Sequence, residues 1–278
     1  MRLVPLLRNR YRLYALTRSR ERHALLRTQG VVPLSGDLDD AGSLARLAGL
    51  SHDVLHFAPP PNRGEDDVRT ANLICALRKA RSIPQRMIYM STSGVYGDCA
   101  GALVREHAGV HPQTDRARRR ADAERRLRDW GRRAGVRVVI LRVPGIYAAD
   151  RLPLERLRNA TPVIDDAEDA FSNHIHADDL ASIVVAALAR GRSQRVYNAS
   201  DGAALKMGQY FDLVARSFGL PPPPRVSREQ AVARLPPNLL SFMRESRRLD
   251  NARLRHELRV QLKYPSVREG VAAAARGD

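Results

Sequence analysis

The sequence has no long apolar run. Nothing in its 278 residues approaches the roughly 18 consecutive apolar positions that a membrane span needs, so no membrane partner is expected. Arg2 and Arg8 precede no adequate apolar segment, so no signal peptide is expected either. Cysteine is scarce. Cys75 and Cys99 form neither a disulfide framework nor a metal-ligand spacing, and a reducing cytoplasm is the natural compartment for such a chain. Lysine is nearly absent. The formal charge of +17 is carried almost wholly by arginine, with lysine only at 79, 206 and 263. A basic surface for nucleic acid is one reading of that charge; arginine used wherever a solvated cation is wanted is the other. Many arginines sit beside acids, as in Arg20-Glu21-Arg22 and Glu124-Arg125-Arg126. Trp130 is the only tryptophan, and no aromatics interleave the basic stretch 114–134 to stack on bases. No nucleic-acid partner is expected. Two further absences matter below: no glycine occurs before Gly30, and no tyrosine between 97 and 146.

What is present is a 44% apolar chain with alternating periodicities. Residues 11–17, 31–34, 54–57, 86–90 and 136–141 read as strands. Residues 3–9 read as the tail of a helix, and 40–49, 67–80, 114–134 and 178–190 as helices. Strands alternating with helices predict βαβ units and an α/β fold with a parallel sheet. After Gly145 the strand signal thins, and Pro221–Pro224 forms a stiff spacer. The expected division is residues 1–148 plus about 170–200 as a nucleotide-binding domain. Residues 149–169 and 201–278 form a small, mostly helical substrate region.

The motifs come in a fixed order. Residues 87–98 read MIYMSTSGVYGD, with Thr92 four residues before Tyr96-Gly97. Then come Leu141-Arg142-Val143-Pro144-Gly145-Ile146-Tyr147, His174-Ile175-His176-Ala177-Asp178-Asp179-Leu180-Ala181 and Val196-Tyr197-Asn198-Ala199-Ser200-Asp201. The tail carries Leu249-Asp250-Asn251-Ala252-Arg253-Leu254 and Tyr264-Pro265-Ser266-Val267-Arg268-Glu269-Gly270. Over nearly the whole chain this series resembles the NAD(P)-dependent epimerase/dehydratase family of extended, here atypical, short-chain dehydrogenases/reductases.

The resemblance implies a Rossmann-type parallel sheet flanked by helices, with a small C-terminal substrate domain. It implies an oxidoreductase or epimerase acting on a polar hydroxyl or carbonyl of a nucleotide-sugar-like small molecule. Thr92 matches the catalytic Ser/Thr; a hydroxyl capping the strand-to-loop turn is the plainer role. Ser93, Tyr96, Arg151 and Asn173 fall where substrate would bind. Arg18, Asp37, Ala58, Arg120 and Pro144 fall along the cofactor. Arg142 and Arg195 are further candidates for anionic groups. After the strand that ends at Thr17, Arg18 suits a 2′-phosphate and favours NADP over NAD; a solvated arginine is the plainer role. Asp37 stands near the adenine position or serves an ordinary turn. His174, His176, Asp178 and Asp179 lack the partners of a metal site; Asp178 or Asp179 is expected to cap the helix 180–190, and no metal is expected. A homodimer is left open.

Two departures qualify this. The family's Tyr-x-x-x-Lys pair falls, counting back from Glu124, on Arg116 and Arg120. Arginine does not release its proton near neutrality, so the pair cannot act as proton donor; Tyr96 and Tyr147 are the nearest substitutes, and both read as packing residues first. The second departure is the missing first strand and Gly-x-Gly-x-x-Gly turn, which normally cradle the pyrophosphate. That strand is central in the order 3-2-1-4-5-6. Its absence leaves the strands at 11–17 and 54–57 about two strand spacings, near 9.6 Å, apart. A start upstream of Met1 is therefore expected. Besides oxidoreductase, the chain can be a non-catalytic dinucleotide-binding sensor or partner-binding module, or an inactive truncated product.

Overall fold

A computed structural model of the chain describes residues 1–236, 239–240 and 243–277. The chain forms two compact units. The first comprises Met1–Thr92, Asp115–Arg142 and Ala181–Tyr197; the second comprises Ser93–Thr114, Val143–Leu180 and the residues from Asn198 onward. Elements are numbered in chain order.

The first unit is a parallel α/β assembly. Its strands are β1 (Leu13–Thr17), β2 (Val31–Ser35), β3 (Asp53–His56), β4 (Arg86–Thr92), β6 (Arg137–Val143) and β10 (Arg195–Asn198). Its helices are α1 (Val4–Leu7), α2 (Arg22–Thr28), α3 (Val68–Leu77), α4 (Asp115–Ala134) and, from Ala181, α6 (Ala177–Arg190). β10, β6, β4 and β3 hydrogen-bond in that order into one sheet, whereas β1 and β2 form a separate pair. β1 pairs with β2, and β3 with β4, in parallel. Apolar residues at helical spacing on α3 and α4, among them Leu73, Leu77, Leu127 and Trp130, pack on Met87, Tyr89, Val138 and Ile140. This matches the near-continuous apolar runs expected of strands covered on both faces.

The β1–β2 pair is built differently. No residue of β1 is fully buried, and none of α2 is. Between β1 and β3 lies an apolar cavity of about 550 Å³ lined by both strands and by α1. Among the described residues each of these two strands has a hydrogen-bonded neighbour on one side only.

The second unit holds the remaining short strands. β7 (Gly145–Tyr147), β9 (Phe171–His176) and β11 (Ala204–Lys206) form one sheet, β8 (Val163–Ile164) pairs with β12 (Arg225–Val226), and β5 (Leu103–Val104) with β13 (Arg248–Leu249). Helices α5 (Leu154–Arg158), α7 (Met207–Ser217), α8 (Arg228–Arg234), α9 (Ala252–Glu257) and α10 (Val267–Arg276) complete it. Among the described residues of the expected substrate region, 149–169 and 201–278, helix outweighs strand; the short strands of this unit leave no mark in the sequence pattern. These strands are two to six residues long and pair across as many as 145 positions (Leu103 with Arg248), so local periodicity cannot reveal them.

Smaller corrections have local causes. The helix expected at 40–49 is a 3₁₀ segment, Ala41–Leu47. Ser43 Oγ bonds the carbonyls of Asp37 and Asp40, diverting the backbone from an α-helix. Pro5 sits at the start of α1, where its missing N–H costs nothing. Helix α6 begins at Ala177 rather than 180. Asp179 does not cap it: its carboxylate accepts from the N–H groups of Lys263 and Tyr264 at 2.7 and 2.9 Å.

Candidate functional site

Ligands of open parallel sheets bind beyond the carboxyl ends of the strands, and the first unit gathers polar side chains there. Helical spacing places Arg116, Arg120 and Glu124 of α4 on one face. Glu124 is buried. It accepts from Ser91 Oγ at 2.6 Å and from Arg142 Nε and Nη2 at 3.1 and 2.7 Å. A buried ion pair recovers its desolvation cost only with such bidentate geometry and extra hydrogen bonds. Arg142, expected to meet anionic groups, is thus an internal strut joining β6 to α4.

Arg120 is turned inward as well. Its Nη1 donates to the Met90 carbonyl at 2.8 Å, Tyr89 OH at 3.1 Å and the Ala58 carbonyl at 3.3 Å. It therefore ties the end of β4 to the loop after β3, and Ala58 enters as an acceptor. Arg116 is exposed, and Thr92 is half-buried as the last residue of β4. Burial pushes the Tyr89 phenol far above its ordinary range, against the nearby Arg120 charge.

His56 is a residue the sequence reading missed; its signal was a lone histidine closing an apolar strand before Pro59. It is 3% exposed. Thr70 Oγ1 donates to Asp67 at 2.9 Å, so it accepts from His56 Nε2–H at 2.8 Å. Burial, with Arg120 adding to it, lowers the imidazole to about 3, so the ring is neutral. Asp67 caps α3 through Thr70 N, and burial raises its carboxyl.

At the ends of β1 and β2, Arg18 is exposed, with Nη1 3.6 Å from Asp37 and 3.9 Å from Asp39. Asp39 belongs chiefly to Arg69, which donates to both of its oxygens at 2.7 Å and holds its carboxyl below the usual range. Arg195, the first residue of β10, is half-buried.

The second unit carries the remaining candidates. Ser93 is buried. Tyr96 is 1% exposed and donates to Asn198 Oδ1 at 2.7 Å, so it is a core residue. Gly97 follows it at φ +71°, and a Cβ there would lie 2.2 Å from the His111 carbonyl oxygen; the Tyr-Gly signature is here a packing requirement. Asn173 is buried, donating to the Arg247 carbonyl at 2.9 Å and accepting from Leu249 N at 2.8 Å. Pro144 is half-buried, and Arg151 is exposed. Tyr147 is buried with its OH 3.4 Å from the Ser266 carbonyl, and burial raises its phenol far above its ordinary range. A Cβ at Gly270 would lie 2.2 Å from that hydroxyl, which accounts for the glycine of the tail motif. His174 stacks on Tyr210 and His176 on Tyr264, each at 4.2 Å. Burial drives His174 down to about 4 and Asp201 up to about 7.

Whether these residues fit a dinucleotide is decided at the pyrophosphate. That group needs converging backbone N–H groups and close approach, which a glycine-rich turn after a central strand supplies. Here β1 is followed by Thr17-Arg18-Ser19-Arg20, and β3 by Ala58-Pro59-Pro60-Pro61, whose prolines carry no N–H. Neither of these two turns fits a pyrophosphate, since neither brings a glycine and converging N–H groups to one point.

Several solved structures share this fold. A protein of unknown function from Silicibacter pomeroyi is 27% identical, with a TM-score of 0.80 over 99% of this chain and 94% of its own. A dTDP-glucose 4,6-dehydratase from Streptomyces venezuelae, solved with NAD and DAU bound, is 22% identical, with a TM-score of 0.76 over 95% of this chain and 86% of its own. RMD from Pseudomonas aeruginosa, solved with NADPH, is 19% identical, with a TM-score of 0.69 over 89% of this chain and 90% of its own. The last two show the fold alone. A search of curated proteins gives no match. The family model described as the NAD dependent epimerase/dehydratase family matches residues 2–200, which takes in the whole βαβ series, the Thr92 strand end and all but the last residue of the Val196–Asp201 motif. On that match, and on the parallel α/β architecture beneath it, the chain belongs to the NAD dependent epimerase/dehydratase family.

Proposed function

We propose that this chain is a ligand-recognising member of its family that does not run tyrosine-driven proton transfer. The observation that carries this is Arg120, which stands at the lysine position and spends its Nη1 on Ala58, Tyr89 and Met90. With Arg116 at the tyrosine position, neither side chain has a proton to exchange near neutral pH. Tyr96 and Tyr147, the nearest substitutes, are buried with their hydroxyls turned to Asn198 and Ser266. The ligand class follows the family: a nucleotide or nucleotide-sugar-like molecule with a polar hydroxyl or carbonyl. Thr92 at the end of β4 supports the second reading, an oxidoreductase or epimerase on the same substrates. NADP over NAD rests on the exposed Arg18.

NADPH oxidation with a panel of sugars and carbonyl compounds separates the two readings. No turnover above buffer is expected. General acid–base catalysis is typically worth roughly 10²–10⁴-fold, so a trace rate should rise when Arg116→Tyr is combined with Arg120→Lys. Robust turnover that survives loss of Tyr96 and of Tyr147 overturns the proposal. Calorimetry should show NADPH binding weaker than about micromolar, since the turns after β1 and β3 carry no glycine-rich cradle of N–H groups; sub-micromolar binding to this chain contradicts it.

A further inference from the structure

We propose that the outer faces of α1 and α2, with the arginine-rich turns beside them, dock the protein onto an anionic lipid surface. The proposal is independent of the proton-transfer reading above. It rests on where the positive charge sits and on what stands beside it. Residues 1–35 hold eight arginines, at 2, 8, 10, 12, 18, 20, 22 and 27, against a single acid, Glu21. All eight are exposed. Arg18 reaches Asp37 and Asp39 only loosely, and Arg12 lies over the Tyr14 ring at 5.5 Å. The side chains of Arg8, Arg10, Arg20, Arg22 and Arg27 make no ion pair among the described residues. The arginines of α4, in the same unit, are placed differently: Asp115 takes Arg118, Asp122 takes Arg125 and Arg126, and Asp129 takes Arg132.

Exposed leucines stand among these cations. Leu6 of α1 and Leu25 of α2 are 46% and 54% exposed. The next residue in each helix, Leu7 and Leu26, lines one apolar cavity beside β1, so both helices cover the same part of the unit. Successive residues differ by about 100° around a helix, which leaves Leu6 and Leu25 turned to water. Arg22 and Leu25 are three positions apart on α2 and share a face. The turns that follow α1 carry Arg8 and Arg10, bonded back to the Val4 and Leu7 carbonyls.

The mixture selects the partner. A single phosphate or a nucleotide needs donors that converge on one point, whereas these cations are spread over two helices and their turns. A nucleic acid would use the cations but gains nothing from exposed leucines, and the aromatic platform for its bases is lacking, since Tyr14 lies beneath Arg12. An anionic bilayer rewards both features. Its surface potential attracts each nearby cation, worth about fivefold in partition, and its headgroup boundary accepts apolar side chains at shallow depth. Among the described residues no helix is long and apolar enough to cross a membrane, so the contact is peripheral.

The test is co-sedimentation of the full chain with vesicles of phosphatidylcholine, alone or with about 30% phosphatidylserine, in about 0.1 M and about 0.5 M salt. The chain should bind the anionic vesicles at the lower salt and lose at least about tenfold at the higher, where screening is stronger. No binding to the anionic vesicles overturns the proposal. Two variants remove the same charge: R8Q/R10Q/R20Q/R22Q/R27Q on this face, and R46Q/R78Q/R133Q/R156Q/R234Q, all exposed elsewhere. The first should lose at least about tenfold in partition and the second less than about threefold. Equal losses make binding a matter of total charge and overturn the proposal. Leu6→Ser with Leu25→Ser should weaken binding at least about threefold through lost apolar area, and no loss overturns it. Should a variant not fold, amide exchange of the unsubstituted chain on vesicles decides: slowing at 4–10 and Arg22–Thr28 supports the face, and slowing confined to other segments overturns it. An RNA oligonucleotide held more tightly than the vesicles, and released by the first variant, assigns the face to nucleic acid and overturns the proposal.

Discussion

In β6, six of seven residues are buried; in β1, none of five is. Both strands read as apolar, RVVILRV and LYALT, and both lie in the first unit. β6 has hydrogen-bonded strands on both sides, β10 and β4, and α4 packed on the cluster that includes Val138 and Ile140. Among the described residues β1 has only β2 beside it, and a cavity lies on its other side. The difference teaches that a parallel strand's burial is set by its neighbours on both edges and both faces. Apolar sequence qualifies a segment for that environment but does not create it.

The sharpest break in this comparison is expected at Glu124. Glu124→Gln leaves Arg142 buried without its carboxylate, and losing one member of such a pair costs about 3–5 kcal/mol. Urea unfolding measures this, and a cost under 1 kcal/mol would show that the β4–β6 side is less closed than its burial indicates. Ile140→Ala comes next. Ile140 is 0% exposed, so about 2–5 kcal/mol is expected. Leu16→Ala, in the half-buried β1, should cost under about 1.5 kcal/mol because less area leaves water. Equal losses at the two sites would erase the distinction between the halves.

His56 sharpens the comparison by pH. Its folded pKa, about 3, lies below the ordinary 6.5, so its contribution is intact above pH 6.5 and is lost as pH falls toward 3. Unfolding followed from pH 7 to 4 should lose on the order of 2–4 kcal/mol through this group, and His56→Gln should flatten the profile. A variant as acid-sensitive as the parent assigns the loss elsewhere. The smallest effect belongs to Arg18. Its contacts with Asp37 and Asp39 are loose and exposed, so Arg18→Ala should move the midpoint by no more than about 0.5 kcal/mol. A larger loss would mean that the β1–β2 side depends on that pair.

Much of the first unit was legible because local period and covalent order carry it. The strands at 13–17, 31–35, 53–56, 86–92 and 137–143 and the helices α3 and α4 all announce themselves by spacing. The candidate site was legible only as positions. Arg116, Arg120 and Glu124 fall on one helix face by arithmetic, yet nothing in their spacing says that Arg120 turns onto Ala58 and Met90 or that Glu124 meets Arg142. Tyr96 and Asn173 match a motif for a reason of packing, which a motif does not distinguish from chemistry. His56 was overlooked because a single histidine has no pattern.

By itself the sequence determined the parallel α/β class and the family. These are properties of residue type and order, fixed by side-chain chemistry and by the periods of helix and strand. The tertiary structure alone decided which arginines are struts, which tyrosines are core, how residues 29 to 145 positions apart build the second unit's small sheets, and that β1 and β3 face a cavity rather than each other. Those outcomes depend on burial and on hydrogen-bond partners brought from distant parts of the chain, and neither is encoded in any local stretch of sequence.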